Sequence, residues 1–251
     1  MFDLSGKVAV VTGCRRGIGL AMAEALASAG ADIIGVSAQL EASGSEVARR
    51  VEAAGCRFSG FAVDLGDRAA VEELASNLAE RAAPIDILVN NAGTIARTPA
   101  LDHDTATWER ILDVNLTAPF LLARALGRGM VERGSGKMIF TASLLSFQGG
   151  VLVPSYAAAK SGISGLVKAL ANEWASHGVN VNAIAPGYIA TDNTAALRSD
   201  QQRNRAILDR IPAGRWGLAS DLAGATVFLA SSASDYVCGT IIAVDGGWLA
   251  R

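Results

Sequence analysis

Lys7-Val-Ala-Val-Val-Thr12-Gly-Cys-Arg-Arg-Gly17-Ile-Gly19 is the stretch from which the rest of the chain is read. Its β-branched start closes on Thr12 and Gly13, and residues 17–28 then carry Ile18, Met22, Ala25 and Leu26 at helical spacing. The pattern predicts a strand, a glycine turn and a helix. In such a turn Gly13 can bend sharply, Gly17 lets backbone approach a pyrophosphate, and Gly19 lets the helix pack closely on a sheet. The helix N-terminus then offers unpaired N–H groups to phosphates. The spacing is G-x-x-x-G-x-G rather than G-x-G-x-x-G, so the turn alone is a weak signal, with a merely structural glycine turn as the lesser alternative.

Downstream the same unit repeats. The sequence predicts a strand at 32–36, a helix around 45–54, a strand at 58–63, a helix from 68 to about 81 and a strand at 85–89. A helix from about 105 to 131, a strand at 137–141, a helix from about 156 to 176, a strand at 179–184 and a last strand at 240–244 follow. Strands that are apolar on both faces and alternate with helices argue for a parallel sheet covered on each side, because right-handed crossovers place the helices there. The expected fold class is therefore α/β: a doubly wound parallel sheet in a single domain spanning residues 1–251. The most polar segment, 191–210, reads either as part of a mobile lid at about 191–215 or as an ordinary solvated helix.

Composition excludes several classes of protein. Of 251 residues 51% are hydrophobic and 18% charged, with 27 Gly against 6 Pro, which suits a large core and excludes global disorder. Twenty-two basic and 24 acidic residues give a net charge of -2 with no basic run, so no nucleic-acid partner is expected. Mean hydropathy is +0.31, yet Gly or a charge breaks every apolar run short of the roughly 20 residues a bilayer needs, and no membrane partner is expected. Asp3 and Lys7 stand where an export signal would need apolar residues. Cys14, Cys56 and Cys238 are too widely spaced to suggest a disulfide framework or a metal site, so a reducing cytoplasm is the expected location.

Other residues are hard to explain as packing. Asn90-Asn-Ala-Gly93 closes the fourth strand, Asn115 falls in a helix, Ser143 follows the fifth strand, and Tyr156-Ala-Ala-Ala-Lys160 begins thirteen positions after that serine. Together with the glycine turn they resemble the short-chain dehydrogenase/reductase family over essentially the whole chain. The resemblance implies a Rossmann fold, a homotetramer and a catalytic set of Asn115, Ser143, Tyr156 and Lys160. It also implies NADP or NAD as cofactor, held by Gly13, Arg15, Arg16, Gly17, Ile18 and Gly19, and by Asp64 and Leu65 after the third strand, with Asp64 at the adenine amino group. Asn91, Ala92 and Gly93, then Tyr156 and Lys160, and finally Pro186, Gly187, Ile189 and Thr191 after the sixth strand complete that set.

The chemistry follows from residue type and spacing. A Tyr at i and a Lys at i+4 share a helix face, and a nearby ammonium favours phenolate, which predicts a Tyr156 pKa below the usual value of about 10. Such a phenol can exchange a proton with a substrate oxygen, a step worth roughly 10²–10⁴ in rate. Ser143 would hydrogen-bond the same oxygen, Asn115 would hold a water that relays protons through Lys160, and the hydride belongs to the nicotinamide.

Two further blocks narrow the substrate: Leu145-Ser-Phe-Gln-Gly-Gly150, and the run from Ala171-Asn-Glu-Trp174 through Asn182-Ala-Ile-Ala-Pro-Gly-Tyr188 and Ile207 to Trp216 into the final Leu-Ala-Arg251. They resemble the branch of that family that oxidises a hydroxyl of deoxy sugar acids, of the 2-dehydro-3-deoxy-D-gluconate or 2-deoxy-D-gluconate type, reversibly to a ketone. A sugar acid needs a partner for its carboxylate, and Arg97 is the candidate, with Gln148 as a hydroxyl contact. Arg97 reads equally as a solvated loop charge. Tyr188 and Trp216 line the pocket or pack the core, and Trp248 is expected in subunit contacts. The second strand ends Val36-Ser-Ala-Gln39 with no acid before Glu41, while Arg15 and Arg16 sit in the glycine turn, so the cofactor is expected to include NADP and not to be NAD alone. His103 and His177 are expected in capping or surface roles. Reduction of a 3-oxoacyl thioester or a polyol ketone, or a non-catalytic cofactor-binding regulator, remain as other readings, and the intact catalytic set argues against the last.

Overall fold

The opening run forms strand β1 (Val8–Thr12), and Gly17–Ser28 forms helix α1. The computed structural model describes residues 1–41, 44–81 and 83–251. Strands β2 (Asp32–Ser37), β3 (Phe58–Ala62), β4 (Ile87–Asn90), β5 (Gly136–Thr141), β6 (Val179–Pro186) and β7 (Ile241–Val244) follow. All pair in parallel in one seven-stranded sheet of order β3-β2-β1-β4-β5-β6-β7. Strand order reverses between β1 and β4, and the crevice beyond the strand C-termini at such a reversal is where this class of sheet binds ligands.

Alternation along each strand divides the core in two. Val10, Ile34, Leu88, Met138 and Phe140 face helices α3 (Arg68–Ala79), α5 (Ala118–Arg133) and α6 (Pro154–Trp174). Ala9, Val11, Ile33, Val89 and Ile139 face α1, α2 (Glu46–Ala53) and α9 (Ala223–Ala230). The doubly wound reading therefore holds, and the expected elements lie within a few residues of where the sequence places them.

Three features differ from expectation. Helix α9 was not anticipated, because Leu222-Ala-Gly-Ala-Thr-Val-Phe-Leu-Ala230 is apolar on nearly every face and shows no periodic stripe. The helix expected at 105–131 is split into α4 (Thr105–Leu112), a wide π turn (Asp113–Thr117) and α5. Pro119, at the second position of α5, has no N–H to give the carbonyl of Asn115 four residues back, which favours such a widening. Finally, Trp248 is not at a subunit surface: only 4% of it is exposed, and it packs with Leu144 and Ile211. The polar segment folds as α7 (Ala195–Ser199) and α8 (Gln201–Arg210).

Candidate active site

The glycine turn leaves β1 for α1 in contact with the end of β4. Gly13 has φ of +68°, and a Cβ there would lie 2.8 Å from the Ala92 Cα. A Cβ on Gly19 would come within 2.2 Å of the Gly13 carbonyl oxygen, so only glycine lets this turn close. Buried Thr12 binds the two strand ends together. Its hydroxyl accepts from the N–H groups of Asn91 and Ala92, each at 3.0 Å, and the Asn91 amide donates to the Thr12 carbonyl at 3.0 Å.

Beyond these ends lies a cleft of about 720 Å³. Every residue expected at the cofactor lines it: Gly13, Arg15 to Gly19, Asp64, Leu65, Asn91 to Gly93, Tyr156, Lys160, Pro186, Gly187, Ile189 and Thr191. Ser143 and Arg97 line it as well. Three expected site residues do not. Asn115 is fully buried behind the cleft, where its amide donates to the carbonyls of Thr94 at 2.8 Å and Ile111 at 2.9 Å, and its Oδ1 has no partner among the described residues. Tyr188 is packed edge-on to Trp216, with ring centres 5.5 Å apart, and against Trp248 at 4.7 Å, so packing is the role the structure gives it. Gln148 lies within 3.4 Å of both Arg210 Nη2 and Trp248 Nε1, which donate to its Oε1, so this oxygen is already committed.

Tyr156 and Lys160 occupy the first two turns of α6, and Ser143 follows β5. The Lys160 ammonium donates to the Thr141 carbonyl at 2.7 Å and lies 5.6 Å from the centre of the Tyr156 ring. Burial of this amine lowers its pKa to about 8. Burial also raises the Tyr156 phenol above its ordinary value, although a hydrogen bond with Ser143 and the charge of Arg97 act to lower it. This reverses the direction expected from the Tyr–Lys spacing. Desolvation outweighs the nearby charges, and Lys160 points at a backbone carbonyl rather than at the phenol.

Charge elsewhere in the cleft is paired across elements. Arg110 on α4 donates to both oxygens of Asp64, at 2.8 and 2.9 Å, holding that carboxyl below its usual range. Arg16 Nη1 donates to Asp192 across the cleft at 2.7 Å. The Arg15 N–H donates to the Ser37 hydroxyl at 3.3 Å, and its guanidinium makes no ion pair among the described residues. Thr12, Thr141, Arg110 and Asp192 were not singled out from sequence. Thr12 stands inside the glycine motif and was findable there, whereas the other three are recruited only by tertiary proximity.

The remaining chemistry-bearing residues stay apart. Half-buried His103 shares a 2.9 Å hydrogen bond with Ser155 at the start of α6, so it is neither a surface residue nor a cleft residue. His177 is exposed. Burial raises the Cys14 thiol, and among the described residues no metal-ligating cluster occurs.

Residues 13–249 match the family described as enoyl-(acyl carrier protein) reductase. A 2-dehydro-3-deoxy-D-gluconate 5-dehydrogenase of Pseudoalteromonas atlantica is 58% identical, covering 100% of this chain and 98% of its own length. One of the same name from Bacillus subtilis is 55% identical, with 100% and 97% covered. A crystal structure from Agrobacterium tumefaciens with NADP bound, described as a candidate 2-deoxy-D-gluconate 3-dehydrogenase, superposes with a TM-score of 0.93 at 49% identity, covering 100% of this chain and 99% of that one. Identity above one half, sustained over the whole chain and over a sheet whose strand ends carry this cleft, means that the chain belongs to the short-chain dehydrogenase/reductase family.

Proposed function

We propose that the chain is an NAD(P)-dependent dehydrogenase that interconverts a secondary hydroxyl and a ketone on a deoxy sugar acid of the 2-dehydro-3-deoxy-D-gluconate or 2-deoxy-D-gluconate type. The observation that carries this reading is the placement of Tyr156, Ser143 and Lys160 in one cleft with a glycine turn that no larger residue could form. The names of the relatives support the substrate class.

A dinucleotide fits the residues present. Gly13, Gly17 and the first turn of α1 present backbone to a pyrophosphate, and Arg15 and Arg16 supply cations where a 2′-phosphate would lie, at a strand end without an acid. When bound, the nicotinamide supplies or takes the hydride. Tyr156, kept protonated by burial, donates its proton to the ketone oxygen in reduction and takes it back in oxidation. The Ser143 hydroxyl holds the same oxygen. Lys160, poised near neutrality, passes the proton on, and Asn115, whose carbonyl can take no N–H from Pro119 four residues on, would hold the relaying water. Arg97, exposed at the cleft and without an ion pair among the described residues, is positioned to take the substrate carboxylate.

Residues 191–215 act as a lid, a reading supported by Thr191 to Thr194, which line the cleft where this segment begins. The chain works as one domain, as a homotetramer in the cytoplasm. The partly exposed Trp108 and Phe120 provide apolar surface that assembly would cover, and no described helix is long and apolar enough to cross a membrane.

Initial rates with deoxy-ketogluconates, gluconate, simple polyols and an acetoacetyl thioester, each with NADH or NADPH, test the reading. The sugar acids should give the highest kcat/KM. A thioester preference would overturn it.

A further inference from the structure

The cleft holds five cations, Arg15, Arg16, Arg97, Arg110 and Lys160, and among the described residues only two acids line it, Asp64 and Asp192. Asp64 is bound by both oxygens to Arg110. Among the described residues Asp192 is the only acid that meets the arginine pair of the glycine turn, and it reaches Arg16 from 176 positions along the chain. The acid that would ordinarily close the second strand is missing there, since Ser37, Ala38 and Gln39 fill that end. From this we infer that Asp192 sets the coenzyme preference: its carboxylate competes with a cofactor phosphate for Arg16 and so tempers selectivity for NADP over NAD.

The inference rests on the proposed use of Arg15 and Arg16 at the phosphate end. Arg16 and Asp192 side chains are 66% and 71% exposed, so the pair is weak, labile and screened by salt. A dianionic phosphate carries more charge than one carboxylate and displaces it, whereas NAD, lacking that phosphate, leaves the pair in place. Replacing Asp192 with a neutral residue of the same shape removes the competitor and frees Arg16. The gain falls on NADP alone.

The test is cofactor binding without substrate, followed by the fluorescence of NADPH and of NADH. Asp192→Asn should tighten NADPH about two- to five-fold at low ionic strength, with NADH little changed and the difference shrinking as salt is added. Arg16→Gln should weaken NADPH more than NADH, and adding Asp192→Asn to it should change nothing further. If Arg16→Gln weakens NADPH but Asp192→Asn leaves the NADPH-to-NADH ratio unchanged, or moves both cofactors equally, Asp192 merely braces the lid and the inference is overturned. If Arg16→Gln leaves NADPH untouched, the phosphate-end assignment falls and takes the inference with it.

Discussion

Lys160 and Thr141 are joined by a 2.7 Å hydrogen bond from the buried ammonium to a backbone carbonyl, at the point where β5 delivers the chain to the cleft. The bond holds the amine against the sheet, 5.6 Å from the Tyr156 ring centre. Because burial has already brought this amine to about 8, its charge is costly to keep.

One prediction concerns stability against pH. The folded-state pKa of Lys160, about 8, is below its ordinary 10.5, so between those values the unfolded chain binds more protons than the native one. The contribution of Lys160 to stability therefore rises with pH across that window and is flat below it. Urea titrations of the wild type and of Lys160→Met should show the stability difference moving in favour of the wild type from pH 8 to 10. A constant difference would contradict the assignment.

Tyr156→Phe removes the proton donor while keeping the ring. Turnover should fall by at least roughly 10²–10⁴, with the affinity for NADPH held within a few-fold. Unchanged turnover would refute the proposed acid/base step.

Arg97→Ala tests the carboxylate contact. KM for the sugar acid should rise by about tenfold or more, with a smaller change in kcat and a partial recovery in Arg97→Lys. An unchanged KM would remove Arg97 from the substrate site.

Asn115→Ala strips the donors from the Thr94 and Ile111 carbonyls inside the protein. Stability should drop by about 1–3 kcal/mol in denaturant titration, in addition to any loss of turnover. A stability loss below 0.5 kcal/mol (about the scatter of surface substitutions) would mean that water replaces the amide without cost.

Much of the fold was legible because parallel strands such as Val8–Thr12 are apolar on both faces and are punctuated by glycine turns. Helix α9 was missed for the opposite reason: a segment apolar on nearly every face has no polar stripe to mark its period. In the cleft, spacing located Tyr156, Lys160 and the glycines, since motif residues are fixed by local geometry. It left Tyr188 between pocket and core and expected Trp248 in subunit contacts, because the surroundings of both depend on what α8 and the C-terminal residues bring beside them. The raised phenol of Tyr156 was illegible as well, because burial is a property of the assembled site and not of an i, i+4 pair.

The wide turn at Asp113–Thr117 acts as a phase shifter between α4 and α5, which it joins without a break. One residue more than a regular helix would use rotates α4 by about 100° relative to α5. That offset lets Arg110 and Val114 look into the cleft while Leu121 and Leu122 look into the core. Deleting a single residue here would heal the helix and turn its whole upstream face away from the cleft. The chain would keep its sheet, yet lose one wall of its site.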